Sequence, residues 1–231
     1  MLYKFTQLPA LAAAALLFAL PAFLHADNME ERIHTAIHIL KEKQESSDPI
    51  PASLLNHAKG VAIFTVTQGG LGIGGKGGEG IVLVRLGKTN SRSWAAPCAF
   101  NLAGASIGAQ IGFTEDSYIV VLNTDDAVRH FTSNGKTSLN ATASGTAGST
   151  TATERATTTD LEHRDLVIYK ATGGLFGGAT LGGTSIERKN SINQEAYGDN
   201  VRARNILNGT VPPPESAGRL YRILNGNGSN A

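Results

Sequence analysis

With Cys98 as its single cysteine, the chain cannot form an intramolecular disulfide, so packing alone must hold the fold. Its setting, Ala95-Ala96-Pro97-Cys98-Ala99-Phe100, is apolar and reads as a small buried side chain rather than a reactive thiol. A marked excess of either charge sign is also missing: 20 Lys and Arg stand against 19 Asp and Glu. Nucleic-acid binders carry a basic excess, so that partner class is not expected. G-x-S-x-G occurs once, as Gly104-Ala105-Ser106-Ile107-Gly108, but it falls among residues that read as bent strands, with no helix following to make a nucleophile elbow. No H-E-x-x-H occurs, so no recognised catalytic constellation marks an enzyme. Asp125-Asp126 and Glu162-His163-Arg164-Asp165 have the character of solvated polar turns.

A long apolar run is absent too. The N-terminal one, Leu8 to Leu20, falls short of the ~20 residues a membrane-spanning helix needs. Residues 1–26, with Lys4 in the n-region, Pro21 as a breaker and a small-residue ending at Ala26, read as a secretory signal, with a retained membrane anchor as the alternative. The mature chain is expected to start near Asp27, to be periplasmic or secreted, and to be close to neutral, because the leader takes one lysine and no acid.

From Asp27 to Lys43, Ile33, Ala36, Ile37 and Leu40 recur at helical spacing, and Asp27 with Glu30 fits a capping box. His34 and His38 are four apart, the spacing of a two-histidine metal site, but no third ligand completes it; they read as a solvated pair. Pro51 opens a second short helix through Leu54, Leu55 and Ala58. A strand-rich body follows, with strands expected near 61–67, 80–87, 93–102, 106–114, 117–123, 165–171 and 179–188. Two thin threonine-rich strands are expected within 141–159. Helical signals return from Asp199 to Gly209 and from Glu215 to Leu224, and residues 226–231 read as a frayed tail.

What the chain has in abundance is glycine, and eight of its 27 glycines fall in the twelve residues Gly69–Gly80. Gly72 to Gly77 satisfies G-x-G-x-x-G, and Gly70 to Lys76 satisfies the P-loop pattern up to its last position. Both patterns need a helix next, whose N-terminal amides hold the phosphate. Here Ile81-Val82-Leu83-Val84 follows, a strand, so nucleotide is not expected. Glycine between strands marks a bend or a close approach of backbones. A second unit, Ala171 to Gly183 after Leu166-Val167-Ile168-Tyr169, echoes the first, and the two predict similar hairpins of a strongly curved sheet. The fold class is therefore α+β, mainly β: a strongly curved antiparallel sheet or barrel with glycine-rich bends, flanked by N-terminal and C-terminal helices.

An ordered series carries a family resemblance. It runs through Leu54-Leu55, Ala58-Lys59-Gly60-Val61-Ala62, Gly80-Ile81-Val82, Ser93-Trp94, Pro97, Gly108, Gln110-Ile111-Gly112 and Val121-Leu122-Asn123. It continues through Gly174-Leu175-Phe176, Gly178, Tyr197-Gly198, Ile206-Leu207 and Gly209. From about residue 30 to 224 the chain resembles the SYLF domain family, as a bacterial exported member with one domain over residues 27–225. The resemblance implies a non-enzymatic module that binds phosphoinositides or other anionic phospholipids; the actin role of some eukaryotic members is not expected of an exported chain. A headgroup needs cations and backbone amides, and the candidate lipid-binding residues are Lys59, Lys76, Arg85, Lys88, Arg92 and Arg188. No cofactor and no metal are expected. The rival reading is a cell-envelope structural or protein-interaction module without a lipid ligand; a lipid hydrolase is a third.

Overall fold

A computed structural model describes residues 27–87, 91–132, 137–139, 162–172, 175–178 and 184–226. Two strands of equal length form its centre, β1 (Gly60–Val84) and β2 (Cys98–Leu122), antiparallel along their whole length from Gly60 opposite Leu122 to Val82 opposite Cys98. A register shift between Leu71 and Ile73 marks the middle of β1. β-branched residues make these strands, and alternation gives each two buried faces. Val61, Ile63, Ile81 and Leu83 face one core with α1 (Met29–Glu45), α2 (Ala52–His57) and α6 (Ala217–Leu224). Ala62, Phe64, Val66 and Val82 face a second core closed by α3 (Asp125–Thr132) and α5 (Ala203–Leu207).

β1 doubles back on itself within the glycine run. Arg85 N donates to Lys59 O at 2.8 Å, joining the two ends of the strand. A Cβ placed on Gly80 would lie 2.0 Å from Ile63 O, and one on Gly74 would lie 2.0 Å from Gly69 O. No side chain fits between backbones that close, so glycine at these positions is what permits the fold-back. The expected bend is present, but as a kink within one long strand.

The C-terminal half of β2 then pairs with β4 (Leu166–Thr172), and its N-terminal half with β6 (Thr184–Arg188). β4 continues into β5 (Leu175–Gly178), Thr172 opposite Leu175, so the second strand-glycine-strand unit is a hairpin as its echo predicts. β6 pairs with β3 (Thr137–Leu139). Sheet order β3-β6-β2-β4-β5, with β1 on β2, leaves β3 and β5 as ends. The sheet is therefore curled but not closed, and of the two expected alternatives the barrel is not adopted. Helix and strand take comparable shares of the described residues, so the α+β class stands and "mainly β" overstates the strands.

Several details differ from the sequence reading. Asn28, not Asp27, caps α1, its side chain accepting from Glu31 N at 2.9 Å. Asp27 instead chelates Arg32, whose Nε and Nη2 donate to the carboxylate at 2.7 and 3.0 Å. Arg32 is buried and also donates to Phe100 O at 2.8 Å, Gly80 O at 3.2 Å and Asn101 Oδ1 at 2.9 Å, tying α1 to the sheet where the backbones are closest. At the other end of α1, Lys43 donates to Asp48 and lies 4.6 Å over the Tyr169 ring. Burial pushes this ammonium down and Asp48 pulls it partly back.

The Asp125-Asp126 pair begins α3, where Thr124 Oγ1 accepts from Ala127 N at 3.2 Å, and is not a polar turn. α4 (Asn190–Tyr197) was not expected at all, since it buries little more than Ile192 and Asn193. His34 and His38 are exposed, with His38 3.6 Å from Glu42. Cys98 is fully buried and its thiol is pushed up to about 12 by that burial. The expected leader, the threonine-rich strands within 141–159 and the end of the tail lie outside the described residues.

Candidate functional site at the glycine bend

Of the six expected headgroup-binding cations, the five among the described residues are scattered over the fold. Lys59 is half-buried at the entry to β1, its backbone joined to Leu122 and Arg85. Arg85 is buried and belongs to the frame: Nε donates to Ala58 O at 2.7 Å, Nη2 to Leu55 O at 2.5 Å, and Nη1 to Ser91 O. Its guanidinium lies 4.1 Å over the Trp94 ring. It thus satisfies carbonyls at the C-terminal end of α2 and holds the connection between the long strands; burial lowers it to about 10. Arg92 is exposed on that connection, where its carbonyl accepts from Asn225 Nδ2 at 3.0 Å. Arg188 ends β6 opposite Phe100, and its charge offsets part of the burial that raises the Cys98 thiol. Lys88 lies outside the described residues.

Lys76 alone of these cations sits within the glycine run itself, half-buried and opposite Gly104 of β2. Partial burial lowers its ammonium, and the nearby Lys170 charge lowers it further. Lys170 comes from β4, where it pairs with Tyr118, and its Nζ lies 2.9 Å from Asp116 Oδ2 and 5.8 Å from the Tyr118 ring centroid. Gln68 Nε2 donates to the same Asp116 oxygen at 2.7 Å. Asp116 is fully buried, so its charge is held by these neighbours rather than by water. Burial pulls Lys170 down, but the hydrogen bond and charge of Asp116, with Tyr118, outweigh it, and the net shift is upward. The Tyr118 phenol is raised, mainly by burial.

Two ammonium groups near enough to repel each other, one of them clamped by a buried carboxylate, thus flank the bend. The Thr114 hydroxyl, opposite Gln68, is buried with no hydrogen-bond partner. An anion seated here would be attracted by both lysines and would relieve their repulsion. Sequence reasoning found Lys76 because it interrupts the glycines. It missed Lys170, Asp116 and Gln68, which only strand register brings together. One local signal was available: Asp116 shares its strand parity with the buried Tyr118, Val120 and Leu122, and an inward carboxylate demands a partner.

Comparison with known proteins agrees with the fold-wide resemblance. The family model described as Ysc84, Las17-binding protein actin regulator, matches residues 103–227. LAS seventeen-binding protein 3 of Saccharomyces cerevisiae is 33% identical over 177 residues, which are 76% of this chain and 38% of that protein. Protein YSC84 of the same yeast is 35% identical over 179 residues, 76% of this chain and 37% of its own length. SH3 domain-containing YSC84-like protein 1 of Rattus norvegicus is 32% identical over 204 residues, 86% of this chain and 59% of its own length. The chain therefore spans from under two fifths to about three fifths of the length of these curated relatives.

Proposed function

The chain belongs to the Ysc84 family, that of the SYLF domain, and on that premise we propose that it is an exported, non-enzymatic lipid-binding domain that takes anionic phospholipid or phosphoinositide headgroups at the glycine bend. The observation that carries this reading is the Lys76–Lys170 pair beside Asp116, at a bend where the backbone is stripped of side chains. Lysines near an anionic bilayer contribute on the order of 1 kcal/mol each, and the effect falls with salt. Residues 1–26 support a periplasmic or secreted location, which separates the domain from cytosolic actin. Of the cations expected from the sequence, Lys76 is central, Lys59, Arg92 and Arg188 are peripheral contributors, and Arg85 is structural.

A second reading rests on the family description, which names Las17 and actin regulation: the domain would be a protein-interaction module, without a lipid ligand. Neither the description nor the relatives' names denote catalysis. Native mass spectrometry with lipid extraction of the purified mature protein separates the two readings. Copurified anionic phospholipid is the expected result; a lipid-free protein that forms a stable complex with a protein partner would replace the first reading by the second.

A further inference from the structure

Phe113 is the one large hydrophobic side chain exposed among the described residues, at 62%. It lies on β2 directly opposite Gly69, at the start of the glycine run. Its pose is built by two glycines. Gly112 has φ +125°, a backbone conformation that side-chain-bearing residues rarely adopt, and it reorients the strand just before Phe113. A Cβ on Gly69 would fall 2.4 Å from the Phe113 ring, so the ring lies against the bare backbone of Gly69. The bend it crowns is uncharged over Gly69–Gly75 on one strand and Leu102–Thr114 on the other. Lys76 and the Lys170–Asp116–Gln68 cluster stand at its border.

We propose that Phe113 is a bilayer anchor: the fold-back of β1 and β2 presents this ring to the headgroup–acyl boundary of an anionic membrane while Lys76 and Lys170 engage the phosphates. This rests on the lipid-binding reading above and adds how the bend meets the membrane. The occupant is a bilayer rather than a protein for reasons of size and charge. A stable protein interface buries about 800 Å² on each side, whereas a phenylalanine side chain offers on the order of 200 Å². An aromatic ring next to basic residues is instead the combination that seats surface-bound segments in anionic interfaces. Glu115, two residues further along the strand, is exposed and about 7 Å away at strand spacing, which limits entry to the ring and the bend.

The test uses vesicles of phosphatidylglycerol with phosphatidylcholine and the variants Phe113→Trp and Phe113→Ala, with circular dichroism to verify that both fold. The natural Trp94 is 5% exposed and supplies a constant background. Phe113→Trp is expected to shift its emission to the blue on adding vesicles and to be quenched by lipids brominated near the carbonyl end of the acyl chain. Phe113→Ala is expected to reduce vesicle partitioning about tenfold, the range for withdrawing a partly buried phenylalanine from an apolar medium. Vesicle binding by wild type with no quenching in Phe113→Trp and no loss in Phe113→Ala would overturn the anchor and leave the lipid reading standing. Failure of wild type to bind any vesicle would overturn both. A concentration-dependent dimer in sedimentation velocity that Phe113→Ala abolishes would assign the ring to a second copy and overturn the anchor.

Discussion

Around the connection between β1 and β2, large side chains reach across the sequence to hold backbone in place. Trp94 Nε1 donates to Asn225 Oδ1 at 3.0 Å, Tyr221 to Ala95 O at 3.1 Å, Tyr197 to Pro97 O at 2.7 Å, and Arg85 to three carbonyls. Around the fold-back of the same strands the order is reversed: side chains are removed so that backbone can meet backbone, and the charged groups stand at the border. A curled hairpin with one end pinned by side chains and the other bare has a stable base and an exposed tip. That division of labour explains why a basic residue at the base and one at the tip carry different meanings, although composition treats them alike.

The largest effect should come from the base. Replacing Arg85 by Met keeps much of its volume but strips donors from the carbonyls of Leu55, Ala58 and Ser91; a loss of about 3–5 kcal/mol in urea unfolding is expected. A loss under about 1 kcal/mol would mean that Arg85 is not structural, and would reopen it as a ligand group. Next comes a contrast within the bend. Gly80→Ala puts a methyl against Ile63 O and Phe64 and should cost about 3 kcal/mol, whereas Gly75→Ala meets nothing within 4 Å and should stay within about 0.5 kcal/mol. Equal costs would erase the distinction between glycines that permit the fold-back and glycines that merely lie open.

Charge reversal at the tip is expected to alter binding without altering the fold. Lys76→Glu should weaken partitioning onto anionic vesicles about tenfold or more, with an unchanged melting temperature. The smallest expected effect is electrostatic. Because burial and Lys170 lower the Lys76 ammonium below its ordinary 10.5, the folded state loses this proton before the unfolded state does. This group therefore makes stability rise as pH climbs through the folded value toward 10.5. Lys76→Met should thus gain a few tenths of a kcal/mol at neutral pH, after solvent screening, and the gain should vanish at alkaline pH.

The fold-back was legible in the sequence because eight glycines between two β-branched runs leave few other readings. The α1 stripe was legible for a similar reason, since Ile33, Ala36 and Leu40 repeat at helical spacing and are all buried. Arg85 was not legible as a frame residue, because nothing local tells an arginine facing carbonyls from one facing water. α3 hid behind an acidic pair that serves equally well in a turn or a first helical turn. The polar cluster was hidden more deeply: Gln68, Asp116 and Lys170 lie on three strands, and only the register of β2 with its two neighbours brings them within hydrogen-bond distance.

Cosedimentation of the mature protein with phosphatidylglycerol-containing and with pure phosphatidylcholine vesicles, across a salt series, tests the lipid-binding tip most directly. Pelleting with the anionic vesicles alone, falling as salt rises and lost in Lys76→Glu, is the predicted result. Protein that stays in the supernatant with both vesicle types at low salt, or that pellets equally whether or not Lys76 is reversed, would contradict it.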